Sequence, residues 1–134
     1  NLIVVENRHH HTIDLSGLRM NHLAIQSSVG DIVFPQNINE IYIRTQPFAW
    51  SLVIQKLPST ITTIYFDKQI SLKDVLNYTF APHIKTIDMY SGSIFGLKSN
   101  LTVSNFIIRE SNNFSIQIKN ELIARFSNTI FTFA

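Results

Sequence analysis

The sequence predicts a repeat solenoid, mainly β, with parallel strands on one face and irregular or short helical segments returning on the other. The first observation behind this is a step of 23 residues. The motif Leu57-Pro58-x-x-Ile61-x-x-Ile64-x-Phe66 in "LPSTITTIYFD" recurs upstream as Phe34-Pro35-x-x-Ile38-x-x-Ile41-x-Ile43. Downstream it recurs as Phe80, then Ile84-x-x-Ile87-x-Met89, with the proline displaced to Pro82. The second observation is that each copy ends on a period of two, which turns two apolar side chains to one side of a short strand and the residue between them to the other. A unit of this size cannot bury that side alone, whereas stacked copies merge their apolar sides into one core. The third is composition: 134 residues, 45% hydrophobic and 15% charged, suit one packed domain, and with no cysteine the core is held by packing rather than disulfides.

Taken in order, residues 1–12 read as an N-terminal cap or the remnant of a preceding domain, and the start at Asn1 reads as that of a piece of a longer chain. Residues 13–110 carry the repeats. Leu15-x-x-Leu18-x-Met20 keeps the strand core of a first copy, although His11 stands where Phe34 and Leu57 stood; Val103-x-x-Phe106-x-Ile108 restores the pattern after 19 residues and makes a fifth. The proline before the strand lacks a donor and pushes its predecessor towards an extended shape, which closes each return segment. The returns are "QPFAWSLVIQK", "ISLKDVLNYTF" and "SIFGLKSNL". Ser71 is placed to cap a short helix carrying Leu72, Val75 and Leu76, and Phe48, Trp50, Phe80 and Phe95 read as core filling under the turns. Residues 111–134 read as a C-terminal cap or junction, in which "NNFSIQIKN" alternates like a strand, "ELIARF" makes one or two helical turns and "TIFTF" alternates again.

On Leu15/Leu18/Met20, Ile38/Ile41/Ile43, Ile61/Ile64/Phe66, Ile84/Ile87/Met89 and Val103/Phe106/Ile108, the chain resembles a leucine-rich repeat, an α/β solenoid. The proline-led 23-residue unit is similar to that of BspA-like surface proteins, FNIP-repeat proteins and secreted effectors of bacterial pathogens. The resemblance implies a module that binds another protein on its concave strand face, within a longer secreted, surface or effector protein. The family places an asparagine after the strand core with two residues between; here Leu23, Gln46, Gln69 and Gly92 stand there.

The register also assigns the outward side chains. Between the second and third apolar positions lie Arg19, Tyr42, Tyr65, Asp88 and Ile107, and just after the third lie Asn21, Arg44, Asp67, Tyr90 and Arg109. Strands about 4.8 Å apart turn these into ladders. The predicted binding patch is therefore Arg19, Tyr42, Arg44, Tyr65, Asp67, Asp88, Tyr90 and Arg109, since Tyr and Arg supply contact area and directed hydrogen bonds at interfaces.

Other chemistries find less in the sequence. A formal charge of +2 with scattered Lys and Arg gives no nucleic-acid footprint, and no apolar run reaches the length of a membrane span. His9, His10 and His11 alternate in direction on a strand and offer no ligand spacing, so neither a metal nor another cofactor is expected. No phosphate loop or nucleophile motif occurs, and the chain is not expected to be an enzyme. Two alternatives stand beside protein binding: a structural spacer or cap next to a catalytic domain, and a parallel β-helix acting on glycosides through Asp67 and Asp88. Asn77, Asn100 and Asn113 open Asn-x-Ser/Thr triplets.

Overall fold

A computed structural model describes residues 2–7, 11–20, 22–28, 31–44, 50–97 and 101–134. The chain winds as a parallel β-solenoid. Its strands are β1 (Leu2–Asn7), β2 (Ile13–Asp14), β3 (His22–Ser28), β4 (Ile32–Val33), β5 (Glu40–Ile43), β6 (Thr63–Phe66), β7 (Thr86–Tyr90), β8 (Asn105–Arg109) and β9 (Ile130–Phe133). The helices are α1 (Trp50–Ile54), α2 (Leu72–Leu76) and α3 (Ile116–Arg125). Seven strands form one sheet in the order β1-β3-β5-β6-β7-β8-β9, every neighbour parallel, and β2 and β4 pair separately on the returns.

The 23-residue step is realised where the motif is strongest. Ile41 pairs with Ile64 and Ile64 with Ile87, and all three are fully buried. Ile87 then pairs with Phe106 across the shorter coil, and Phe106 with Phe131. A second inward column, Ile43, Phe66, Met89 and Ile108, is buried beside it. The core is thus two parallel rows of branched and aromatic side chains, backed by Ile38, Ile61, Ile84 and Val103 from the turns that enter each strand.

Those turns have a common form. The carbonyl of Pro58 accepts from Ile61 N–H (3.1 Å), that of Ala81 from Ile84 N–H (3.0 Å) and that of Leu15 from Leu18 N–H (3.0 Å). Side chains tie one coil to the next: His83 Nδ1 lies 2.7 Å from the Ile61 carbonyl, and the Thr129 hydroxyl donates to that of Val103 (2.6 Å). On the returns, Ser71 Oγ accepts from Asp74 N–H at the start of α2, as its position before Leu72 predicts. Trp50 of α1 packs edge-on against Phe66 and Tyr78, and Phe80 is buried as expected.

The first copy is different from its sequence reading. Leu18 is 47% exposed and residues 18–20 belong to no strand; the strand of that coil is β3, whose Leu23 and Ile25 are fully buried. Its step to β5, from Ile25 to Ile43, is 18 residues rather than 23. Leu23 and Ile25 alternate and bury two side chains with nothing polar turned inward, whereas Leu18 and Met20 would close the coil with a strand of only one half-buried pair. Leu23 is consequently a core residue, not the occupant of a turn position.

Three further readings change. The sheet runs beyond residues 13–110 at both ends, through β1 and β9. The "NNFSIQIKN" stretch is a 3₁₀ turn, Ser111–Asn113, leading into α3, because Ser115 Oγ accepts from Ile118 N–H and starts a helix there. Phe95 is 85% exposed at a turn tip before Gly96, whose φ of 82° is left-handed; in this short coil Leu101 and Val103 fill the core instead. Phe48, Gln46, Asn21, Asn100, His9 and His10 lie outside the described residues.

Replacing a side chain in the middle of the inner row should be costly. Ile64→Ala is expected to lower unfolding free energy by about 3 kcal/mol in denaturant titration, from lost burial plus a cavity, while Ile130→Ser, at a site 69% exposed, stays within about 0.5 kcal/mol.

Candidate functional site

Because the rows are in register, the outward residues stack as well. The central outward column runs Val4, Ala24, Tyr42, Tyr65, Asp88, Ile107 and Thr132, each on the strand next to the last. Tyr42 and Tyr65 stack with ring centroids 4.4 Å apart and planes 11° from parallel, and His22 meets Tyr42 edge-on at 6.1 Å. Stacked on each other, the two rings use their facing sides for their own packing and present edges and hydroxyls.

Glu40, two residues before Tyr42 and so on the same side of β5, joins the two ends of this group. Its carboxylate lies 3.4 Å from His22 Nδ1 and accepts from the Tyr65 hydroxyl at 3.3 Å. Burial first, and Glu40 second, raise the Tyr65 hydroxyl above its ordinary pKa, so it stays protonated and donating well past neutrality.

On the next rungs a charged pair takes over. Arg109 Nε and Nη2 donate to the two oxygens of Asp88, each at 2.7 Å, in a bidentate fork. The Asp88 side chain is 6% exposed and the Arg109 side chain 47%, so the carboxylate forms a floor and the guanidinium a rim. The same bonds raise the Arg109 pKa further. Beside them Lys68 bonds Glu110 at 2.7 Å, which raises the ammonium's pKa, and lies 5.0 Å from the centre of the Tyr90 ring. Glu110 itself sits at φ 54° with its carbonyl taken by the Ser91 hydroxyl (2.6 Å).

Seven of the eight residues that the sequence selects line one hollow of about 300 Å³: Tyr42, Arg44, Tyr65, Asp67, Asp88, Tyr90 and Arg109. Arg19 does not. It lies past the Ser16–Gly17 turn, exposed, beside a separate recess with Met20, Pro35 and Asn37, because the strand of its coil begins at His22 and sets Ala24 next to Tyr42. Glu40, His22, Lys68 and Glu110 were missed. Glu40 was legible from the period of two; His22 depended on the shifted strand, and Lys68 and Glu110 sit in loops that the repeat does not index.

The arrangement bears on other chemistry too. Asp88 has both oxygens on Arg109, whereas Asp67 is exposed and accepts from Lys68 N–H on Oδ1 (2.8 Å). Among the described residues no cluster of three His, Asp or Glu is arranged to hold a metal, and no helix is long and apolar enough to cross a membrane. Of the glycosylation triplets, Asn77 donates its amide to the Gly96 carbonyl (3.3 Å), while Asn113 is exposed.

Arg109→Ala leaves Asp88 buried against a hollow without its fork. It should cost about 1–3 kcal/mol of unfolding free energy, and adding Asp88→Ala should restore part of the loss, because the penalty lies in the orphaned carboxylate. A double-mutant cycle by denaturant unfolding measures this; strict additivity would show that the pair is not coupled.

No family model, no curated protein and no solved structure matches the chain, so the site stands on its own residues.

Proposed function

We propose that the chain is a leucine-rich-repeat-type module that binds another protein on its outward strand face, centred on Tyr42, Tyr65 and the Asp88–Arg109 pair. The observation that carries this reading is the hollow itself. It gathers Tyr and Arg side chains over four rungs, is walled by stacked rings and is floored by a buried, fully bonded carboxylate. Such a surface is already ordered before a partner arrives, so little side-chain entropy remains to be lost on binding. The stacked rings give it a firm aromatic wall, and the Arg44 and Arg109 guanidinia at its rim offer donors to a partner. Arg44, exposed at the rim, has no ion-pair partner among the described residues and offers a charge for an acidic group of the partner.

The alternatives rest on less. A spacer role predicts no constraint on the outward face, and glycoside chemistry would need Asp88 released from Arg109.

Selection of a random peptide library on the immobilised protein should return ligands sharing a motif. Their affinity should fall at least about tenfold on the Tyr42→Ala, Tyr65→Ala, Arg44→Ala triple variant, with unfolding monitored alongside, since anchors of this type each contribute more than about 1 kcal/mol. Equal binding by the triple variant would place the partner elsewhere.

A further inference from the structure

The tyrosine ladder stops one place short. Tyr42 and Tyr65 share one pair of faces, and His22 of β3 meets Tyr42 from its other side. Tyr42 comes from β5 and Asp88 from β7, on opposite sides of β6, so the second face of Tyr65 looks along the column towards the Asp88 rung. A third ring there would continue the stack, because rungs lie about 4.8 Å apart and the two rings already stack at 4.4 Å. Asp88 is too short to fill the place, and the slot it leaves is part of the hollow that it lines.

The walls of this slot are fixed in advance. Tyr65 is held by its stack on Tyr42 and by the bond from its hydroxyl to Glu40. Asp88 is held by Arg109, which reaches it from β8, the far side of β7 from Tyr65. An inserted group thus meets an aromatic face on one side and a guanidinium on the other, over a carboxylate floor.

The chemistry of those walls selects what enters. The charged side chains that line the hollow are Arg44, Asp67, Asp88 and Arg109, two of each sign, so a charged group meets its like as well as its opposite and a neutral group is favoured. A flat ring suits a place one rung wide and gains from both Tyr65 and Arg109. The floor calls for a donor: each Asp88 oxygen takes one bond from Arg109, and a carboxylate oxygen has room for a second.

We infer that the hollow takes a tyrosine or tryptophan side chain of the partner, inserted so that its ring stacks on the open face of Tyr65 and its O–H or N–H donates to Asp88. This rests on the reading that the outward face binds a protein, and adds which residue the partner presents.

NMR of the full chain tests it with blocked amino acids as probes: N-acetyl-tyrosinamide, N-acetyl-tryptophanamide and N-acetyl-phenylalaninamide, with methyl α-glucoside alongside. The tyrosine and tryptophan probes should give saturable shifts at the backbone amides of Tyr65, Asp88, Tyr90 and Arg109. The phenylalanine probe should bind at least about fivefold more weakly, since it brings no donor to a buried carboxylate. Asp88→Tyr, which sets a third ring of the chain's own in the ladder, should abolish the shifts; if circular dichroism shows that variant unfolded, Tyr65→Ala, which removes the wall, should do so instead. No saturable shift with either donor-bearing probe overturns the inference, as do equal binding of the phenylalanine probe, shifts that survive in the folded variant, or shifts with the glucoside alone, which would make the hollow a sugar site. Peptides selected on the protein separate the two claims. Peptides that lose binding on the Tyr42→Ala, Tyr65→Ala, Arg44→Ala variant yet carry no shared Tyr or Trp keep the protein-binding reading and sink this inference, whereas probes that bind in the slot when no peptide is selected there keep the slot and sink that reading.

Discussion

Everything on the outward face depends on one constraint, the parallel in-register pairing of successive strands. A parallel ladder fixes which residue lies next to which, and an error of one residue would turn every inward side chain outward. Here the constraint is enforced from inside: Ile64 is held between Ile41 and Ile87, and any slip would set Tyr65 or Thr63 against a row of buried isoleucines. The tyrosine stack is thus a by-product of the isoleucine row, since Tyr42 and Tyr65 face each other because the residues beside them do.

This explains why the site is both ordered and strongly bonded. A column brings like positions together, and if it carried like charges it would repel itself; instead aromatic meets aromatic, and further along Asp88 meets Arg109 from the next rung. Asp88 is the one charged residue buried among those described, and the bidentate fork is what makes its burial tolerable. Glu40 reaches across from Tyr65 to His22 and binds the aromatic group to the N-terminal coil. The hollow between these groups exists because Asp88 is shorter than the tyrosine one rung away.

Much of this was legible in the sequence wherever the 23-residue step holds. From Ile38 to Met89 the motif, the step and the period of two together fix the strands, their order and the side chains that face outward, and seven of the eight chosen residues meet in one hollow. Legibility failed where coil length changes. At the N-terminus a match at Leu15, Leu18 and Met20 competed with the better alternation of Leu23 and Ile25, and packing chose the second, removing Arg19 from the face. In the tail, "FSIQIKN" alternates but Ser115 caps a helix, a local hydrogen bond that apolar spacing does not register. Contacts between loops, such as that of Lys68 with Glu110, 42 positions further along the chain, leave no pattern in a single sequence.

The absence of cysteine makes the pairing directly measurable. Neighbouring strands set Cα atoms about 4.8 Å apart, within the span of a disulfide, whereas two rungs exceed it. The chain carrying Tyr42→Cys and Tyr65→Cys should close an intramolecular disulfide under mild oxidation, and the chain carrying Tyr42→Cys and Asp88→Cys should not. Closure of the second pair without the first would contradict the register from which the site is built.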